Sequence, residues 1–235
     1  MKKGILSICL LAMAPLTVGI LAISLNSSAP TDLEISTAKN LRFTTLYLID
    51  KAAKEVENPY LFAEKVVAIA ADLEVPPEWL MGVIDSESSF KSSIYNRRGS
   101  GAKGLIQLMP SAMKEIGIKE VPSNALEQLD NVHTYLKLRK KQCGTFRSFT
   151  DLKLAILYPA AVGKGKYYIL ASNPSKTYNL NRNLDSDVDG LITVDDIERK
   201  MKRKYAEAYA YKYQPVETPT ENTNSPRSGR ALVQP

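Results

Sequence analysis

The sequence has few of the side chains on which redox and transition-metal chemistry depend. Only 2 cysteines and 1 histidine occur among 235 residues. Cys9 lies in an apolar N-terminal stretch and Cys143 in the body of the chain, so the folded domain has no internal disulfide available. His133 stands in a polar helical stretch without another Cys or His nearby, which argues against a ligand or catalytic role. Internal repeats and alternating strand patterns are missing too, so the body is predicted to be mainly helical.

Composition and charge restrict the class of protein. Hydrophobic residues make up 44% and charged residues 24% of the chain, which is typical of a globular domain and excludes collagen-like, bulk-disordered and polytopic membrane proteins. The net charge of +6 suits an acidic partner. Nucleic acid, an anionic lipid surface and an anionic cell-wall polymer all remain open on charge alone.

The N-terminus predicts a membrane anchor. Residues Gly4 to Leu25 carry no charge and follow Lys2 and Lys3, and about 20 apolar residues suffice to span a bilayer. A cleaved signal peptide is the alternative, but Pro30 directly follows its best cleavage site. We expect residues 1–3 in the cytoplasm, the anchor at 4–25, a linker at 26–36, one folded domain at 37–213 outside the membrane, and a disordered tail at 214–235.

Capping residues and apolar periodicity place the helices of the domain. Asn58-Pro59 and Pro77 are typical helix starts. Predicted helices cover residues 37–57, 59–73, 77–88, 111–116, 125–141, 149–157 and 194–213.

Glu87 is the strongest candidate for a catalytic residue. It follows Leu80, Val83 and Ile84 at helical spacing, so it lies on the apolar face of its own helix. Desolvation and the negative end of the helix dipole would both favour a protonated carboxyl, which is the form that protonates a leaving oxygen in glycosidic bond cleavage. The alternative is a structural Glu at the helix end that bonds to backbone amides or pairs with Arg97 or Arg98.

Two short blocks around Glu87 favour the catalytic interpretation. Glu87-Ser88-Ser89-Phe90 is followed by SGAKGLIQLMP at residues 100–110. These blocks resemble the signatures of the soluble lytic transglycosylase family, relatives of goose-type lysozyme, and the resemblance spans about Glu74 to Gly163. It implies a lysozyme-like helical fold that acts on peptidoglycan glycan strands without a catalytic cofactor, with Glu87 as the catalytic acid/base. The substrate-binding residues that it implies are Ser88, Gly104, Leu105, Gln107 and Tyr158.

The chain departs from the family where a Tyr-Asn-Ala-Gly stretch is usual. Here the counterpart begins Tyr158-Pro159-Ala160, so the Asn is missing. In this respect the chain resembles the domains of phage lysis and virion proteins more than the periplasmic housekeeping enzymes. Asp85 points away from Glu87 around the helix, so no second carboxylate is evident. Hydrolases normally use two carboxylates, and a single one favours intramolecular ring closure.

Residues 185–196 resemble an EF-hand loop that binds Ca²⁺. Gly190 supplies the turn at the sixth position, and the following helix has an apolar stripe. The alternative is a solvated acidic turn. The predicted ligands are oxygen donors at the loop positions that bind the ion: Asp185, Asp187, Asp189, Leu191 through its carbonyl, and Asp196.

These observations predict a mainly α-helical, lysozyme-like domain tethered to a membrane, either periplasmic or on a virion. Lytic transglycosylase is the leading function. A hydrolytic muramidase and a non-catalytic wall-binding or virion module are the alternatives. The predicted partners are peptidoglycan strands and the membrane, and no nucleic acid is expected.

Overall fold

The computed structural model of the chain describes residues 43–96 and 100–215. This part is mainly helical, as the sequence predicts. Its α-helices and strands are, in chain order, α1 (Ile49–Ala52), α2 (Pro59–Leu73), α3 (Pro77–Ser88), α4 (Pro110–Glu115), α5 (Ala125–Cys143), α6 (Phe149–Leu157), β1 (Ile169–Ser172), α7 (Lys176–Asn181), β2 (Leu191–Thr193) and α8 (Val194–Tyr205). Short 3₁₀ turns occupy Pro159–Ala161, Arg182–Leu184 and Ala206–Ala210.

Helices α2 and α3 begin and end where the sequence indicates. The Asn58 side chain accepts a hydrogen bond from the Leu61 backbone N–H at 3.1 Å, which caps α2. Glu74 then stops α2 in the left-handed conformation. Helix α3 begins at Pro77, where the missing proline N–H costs no helical hydrogen bond, and ends before Ser89, which is also left-handed. Both helices therefore match their predicted bounds.

Helices α2, α3, α5 and α6 pack around one hydrophobic core. Gly82 permits the close approach of α3 and α6, because a Cβ atom there would lie 2.8 Å from Cζ of Phe149. The largest fully buried side chains of the core are Phe62, Phe90, Phe149, Leu73, Leu80, Met81, Ile84, Leu105, Ile106, Leu129, Leu136 and Leu152. The apolar face of α3 is thus buried, and the end of α3 that carries Glu87 is held between α6 and the C-terminal elements.

A two-stranded antiparallel sheet was not predicted from the sequence, and neither was the short helix α7. Strand β1 pairs with β2, with Ile169 opposite Thr193 and Ser172 opposite Leu191. Each strand has only three or four residues, too few to show an alternating pattern. The acidic loop lies between the two strands along the chain. Strand β2 leads directly into α8, which packs on α6.

Two helix predictions need correction. The helix predicted over residues 37–57 is broken in its described part, because Leu48 adopts a left-handed conformation with φ 63° just before the short α1. The final helix, predicted to residue 213, ends as an α-helix at Tyr205.

The predicted anchor lies outside the part of the chain that the structure describes. Residues 1–42 and 216–235, which include the anchor at Gly4–Leu25, the linker at 26–36 and nearly all of the predicted tail, lie outside the described residues. Within residues 43–96 and 100–215, no helix combines the length and apolar character needed to cross a membrane.

Candidate active site

Glu87 lies in the last turn of α3, and only 14% of its side chain is exposed. Its Oε1 atom is 2.5 Å from Nζ of Lys153 on α6. The same ammonium donates to Oγ of Ser86 at 2.9 Å. A carboxylate and an ammonium, both largely withdrawn from solvent, therefore face each other where α3 and α6 meet.

Lys153 changes the electrostatic expectation for Glu87. Burial on an apolar face was expected to favour the protonated carboxyl, but an ammonium within hydrogen-bond distance stabilises the carboxylate. Burial and the ammonium act in opposite directions, so the protonated form of Glu87 stays a prediction. The alternative partners, Arg97 and Arg98, lie outside the described residues.

Lys153 was not predicted from the sequence, although its position in α6 distinguishes it from a surface lysine. The lysine interrupts an apolar run in α6, just as Glu87 interrupts one in α3, and its immediate neighbours Leu152 and Leu154 are fully buried. A cation and an anion that each occupy a core-facing helix position are natural partners, because an unpaired charge there would cost several kcal/mol.

Asp85 is held away from this pair by other groups. It is 2% exposed, its Oδ1 pairs with the ammonium of Lys51, and its Oδ2 accepts a hydrogen bond from the Tyr205 hydroxyl at 2.9 Å. Lys204 lies 3.6 Å from the same Oδ2. The Asp85 carboxylate thus links the α3 helix to the N-terminal and C-terminal ends of the described chain.

The second signature block forms a tight loop fastened by a buried glutamine. Lys103 and Leu108 exchange two backbone hydrogen bonds of 3.1 and 2.8 Å. Gln128 of α5 accepts from the Leu105 N–H at 2.8 Å and donates to the Ser92 carbonyl at 2.8 Å. Gly104 is required here, because its φ is 75° and a Cβ would lie 2.5 Å from Oε1 of Gln128. Gln128 was not predicted, although it lies one helical turn before Val132 on the buried face of its own helix.

The predicted substrate-binding side chains have different exposures. Ser88 is 3% exposed and donates to the Ile84 carbonyl at 3.1 Å, and Gly104 and Leu105 are also buried. Any contact of these three with substrate would pass through their backbone or through the shape of the loop. Gln107 is partly exposed, but its amide donates to the Gly104 carbonyl at 3.0 Å. Their roles, and that of the half-buried Tyr158, stay predictions.

An open cavity of about 430 Å³ lies beside the signature loop. Tyr95, which is 50% exposed, lines it together with Lys103, whose ammonium lies 5.7 Å from the centre of the Tyr95 ring. Ser92 and Ser93 add hydroxyl groups. An exposed aromatic ring with hydroxyls around it is chemically suited to a sugar, because the ring can cover an apolar sugar face while the hydroxyls exchange hydrogen bonds.

The part of the sequence that contains Glu87 matches a family model. Residues 66–160 match the family model of the transglycosylase SLT domain. At the level of that family, the match indicates an enzyme of the lytic transglycosylase type that acts on peptidoglycan, and the helical architecture fits a lysozyme-like fold. No curated protein matches the chain. The phage-type variant of the SLT domain stays a prediction.

The SLT match includes Glu87, Lys153, Gln128 and the signature loop, and it ends before β1. The sheet, the acidic loop and α8 therefore lie outside the SLT region. Tyr205 and Lys204, which contact Asp85, belong to these added elements. The C-terminal addition is thus in direct contact with the helix that carries the candidate acid.

The acidic loop brings three of its predicted ligands together. Asp185, Asp187 and Asp189 each place a carboxylate oxygen within 4.8 Å of the others. Asp185 also accepts from the backbone N–H groups of Val188 at 2.7 Å and Gly190 at 3.0 Å, which folds the loop around its carboxylate. Several hard oxygen donors in one cluster fit the ligand preference of Ca²⁺.

Asp196 is placed differently from its predicted role. It is the third residue of α8 and forms a capping box with Thr193, while its Oδ1 accepts from Ser186 N–H and Oγ at 3.0 and 2.6 Å. Burial opposes the charge, but the hydrogen bonds from Ser186 and Thr193 outweigh it and lower the pKa of Asp196 to about 2. Asp196 thus caps a helix here, and the three carboxylates that lie together are those of Asp185, Asp187 and Asp189. The ligand roles of Asp196 and of the Leu191 carbonyl stay predictions.

Proposed function

We propose that the protein is a lytic transglycosylase that cleaves the bond between N-acetylmuramic acid and N-acetylglucosamine and leaves 1,6-anhydro ends. The proposal rests on the position of Glu87, which is enclosed at the end of α3 within the region that matches the SLT domain. An enclosed carboxyl on a rigid helix suits positioned acid–base catalysis.

Glu87 would act twice. In its protonated form it donates a proton to the glycosidic oxygen as the bond to the muramic acid anomeric carbon breaks. The resulting carboxylate then removes the proton from the 6-hydroxyl of the same muramic acid, and that oxygen bonds to the anomeric carbon. The proton returns to Glu87, and no water is consumed.

Lys153 would support the first transfer. Once Glu87 has lost its proton, the ammonium 2.5 Å away stabilises the negative charge that remains. The same contact fixes the direction of the Glu87 side chain, which reduces the reorganisation needed during the reaction. Lys153 would thus act through Glu87, by positioning its carboxyl group.

Mass analysis of the fragments released from purified peptidoglycan tests the reaction. Transglycosylase products carry anhydro ends, are lighter by one water than hydrolysis products and resist borohydride reduction. Reducible ends would instead assign a muramidase with a second carboxylate. Release of no fragments at all would favour a wall-binding or virion module.

The location and the calcium site are further parts of the proposal. The uncharged stretch from Gly4 to Leu25 supports an anchor that holds the domain on the extracytoplasmic side of a membrane. The clustered Asp185, Asp187 and Asp189 support a Ca²⁺ site with a structural role, to which the Leu191 carbonyl would contribute.

A further inference from the structure

A cavity of about 270 Å³ lies next to the candidate active site, between α6 and α8. Lys153, Lys200 and Lys204 all line it, and Ser86 closes it on the side of α3. We call it the lysine pocket. Its other walls are apolar and include Leu157, Ile197 and Met201.

Positive charge is concentrated in the lysine pocket. Lys200 donates to the Asn183 carbonyl at 3.0 Å, and burial together with the positive charges of Arg203 and Lys153 lowers the pKa of its ammonium. The carboxylates that face these lysines are those of Glu87 at Lys153 and Asp85 at Lys204, and neither lines the cavity. A bound anion would therefore relieve repulsion among groups that the fold holds together.

The walls favour one kind of anion. Three lysines together with apolar walls suit a carboxylate on an alkyl chain, whereas a sugar ring would need more hydroxyl and amide partners. The volume is slightly below the roughly 300–1,000 Å³ typical of small-molecule pockets, so it accommodates about one amino-acid residue.

We propose that the lysine pocket binds a carboxylate of the peptide branch carried by the muramic acid of the substrate. The inference rests on the proposed function: Lys153, which contacts Glu87, also lines the lysine pocket, so the pocket adjoins the point at which a glycan strand would be cleaved. Two of the three lysines come from α8, beyond the region that matches the SLT domain. The added C-terminal elements therefore supply selectivity for strands that still carry peptides.

The first test compares two substrates with the full-length protein. One is purified peptidoglycan that retains its peptides, and the other consists of glycan strands freed of peptides by an amidase. Both are anionic, because the amidase leaves the lactyl carboxylate on the sugar, so a difference in rate reports the peptide. We expect the K200Q/K204Q double variant to lose about 10-fold in kcat/KM on peptide-bearing strands. On peptide-free strands, its rate should stay within about twofold of wild type.

K202Q is the matched control. Lys202 lies on the same helix and loses the same charge on substitution, but it pairs with Glu198 and does not line the lysine pocket. Its rates on both substrates should equal those of wild type. An equal loss on both substrates in K200Q/K204Q, or the same selective loss in K202Q, would overturn the proposal.

The second test measures binding without catalysis. In calorimetry, the full-length protein is titrated with L-Ala-γ-D-Glu-meso-diaminopimelate. A second titration uses the same tripeptide with its carboxylates converted to amides. We expect the acid to bind, the amide to bind at least about 10-fold more weakly, and K200Q/K204Q to lose the difference. Equal affinity for the two peptides would contradict carboxylate recognition, and equally tight binding of inorganic phosphate would assign a general anion site. If the wild type cleaves neither substrate, the proposed function fails, and calorimetry alone decides this inference.

Discussion

The Tyr205 hydroxyl donates a hydrogen bond to Oδ2 of Asp85 at 2.9 Å. Tyr205 ends α8 and Asp85 lies two residues before Glu87, so this bond joins the C-terminal addition to the helix of the candidate acid. Both residues are buried. The bond therefore contributes both to stability and to the placement of α3.

Tyr205→Phe should reduce the free energy of unfolding by about 1–3 kcal/mol, because a buried carboxylate loses a donor. The phenylalanine ring keeps the edge-to-face contact with Phe149, whose centroid lies 5.9 Å away. Urea denaturation measures the difference. Tyr167→Phe is the control, since Tyr167 is 76% exposed, and should change stability by no more than about 0.5 kcal/mol. Equal stability of Tyr205→Phe and wild type would show that the bond is absent in solution.

Alkaline pH should destabilise the C-terminal elements through two tyrosines. Burial, with a smaller contribution from Glu198, raises the pKa of Tyr209 to about 12, and burial with the Asp85 hydrogen bond raises that of Tyr205. Because the folded pKa exceeds the unfolded value of about 10, the stabilisation is complete below pH 10 and is lost as pH rises towards 12.

Phenolate absorbance and circular dichroism, recorded together, check this pH dependence. Tyr205 and Tyr209 should ionise only as the helices unfold, so part of the phenolate signal should appear together with the loss of helix. Tyr209→Phe should make unfolding less dependent on pH. A single titration of all tyrosines near pH 10 with the fold intact would contradict the burial of these two rings.

Glu87→Gln should abolish most of the activity and keep the fold. The amide oxygen can still accept from Lys153, but it transfers no proton, and positioned acid–base catalysis contributes roughly 10²–10⁴-fold. The release of fragments from purified peptidoglycan measures the loss. Glu127→Gln removes the same charge from an exposed position on α5 and should retain full activity. Full activity in Glu87→Gln would refute the catalytic role.

Gly82→Ala should destabilise the contact of α3 and α6. The new Cβ would lie 2.8 Å from Phe149, and overpacking of this kind costs about 1–3 kcal/mol, partly offset by up to about 1 kcal/mol of helix propensity. Thermal and urea unfolding measure the net loss of about 1–2 kcal/mol. Adding Phe149→Leu should recover part of it if the clash is the cause. Gly165→Ala, which meets no atom within 4 Å, should be neutral.

Calcium should raise the melting temperature relative to chelator. A ligand at about 100 times its dissociation constant stabilises the native state by roughly 2.7 kcal/mol. Asp187→Asn should remove this effect at little structural cost, because Asp187 is exposed and its ion pair with Arg199 lies at the surface. Asp185 is less suitable for this test, because its hydrogen bonds organise the loop. Asp195→Asn, outside the three-aspartate cluster, should keep the response. The same melting temperature in calcium and in chelator would identify an ordinary acidic turn.

Much of the local structure follows from the sequence because its causes are local. Asn58, Pro59 and Pro77 mark helix starts through capping and the fixed φ of proline, and the structure places helices there. Glu87 stands out because a carboxylate on an apolar helix face is costly wherever the helix packs. The short strands at Ile169–Ser172 and Leu191–Thr193 were missed, because their pairing is a non-local contact that brief segments do not reveal.

The sequence by itself determined the helical class, the boundaries of the main helices and the identity of the candidate acid, since periodicity, capping and short signature blocks depend on neighbouring residues. Only the tertiary structure decided what surrounds that acid. Lys153 is 66 residues from Glu87 along the chain and Tyr205 is 120 residues from Asp85, yet both pairs are in hydrogen-bond contact. Such partners are selected by how helices pack, and the charge of the site, the fastening of the signature loop by Gln128 and the lysine pocket all follow from that packing.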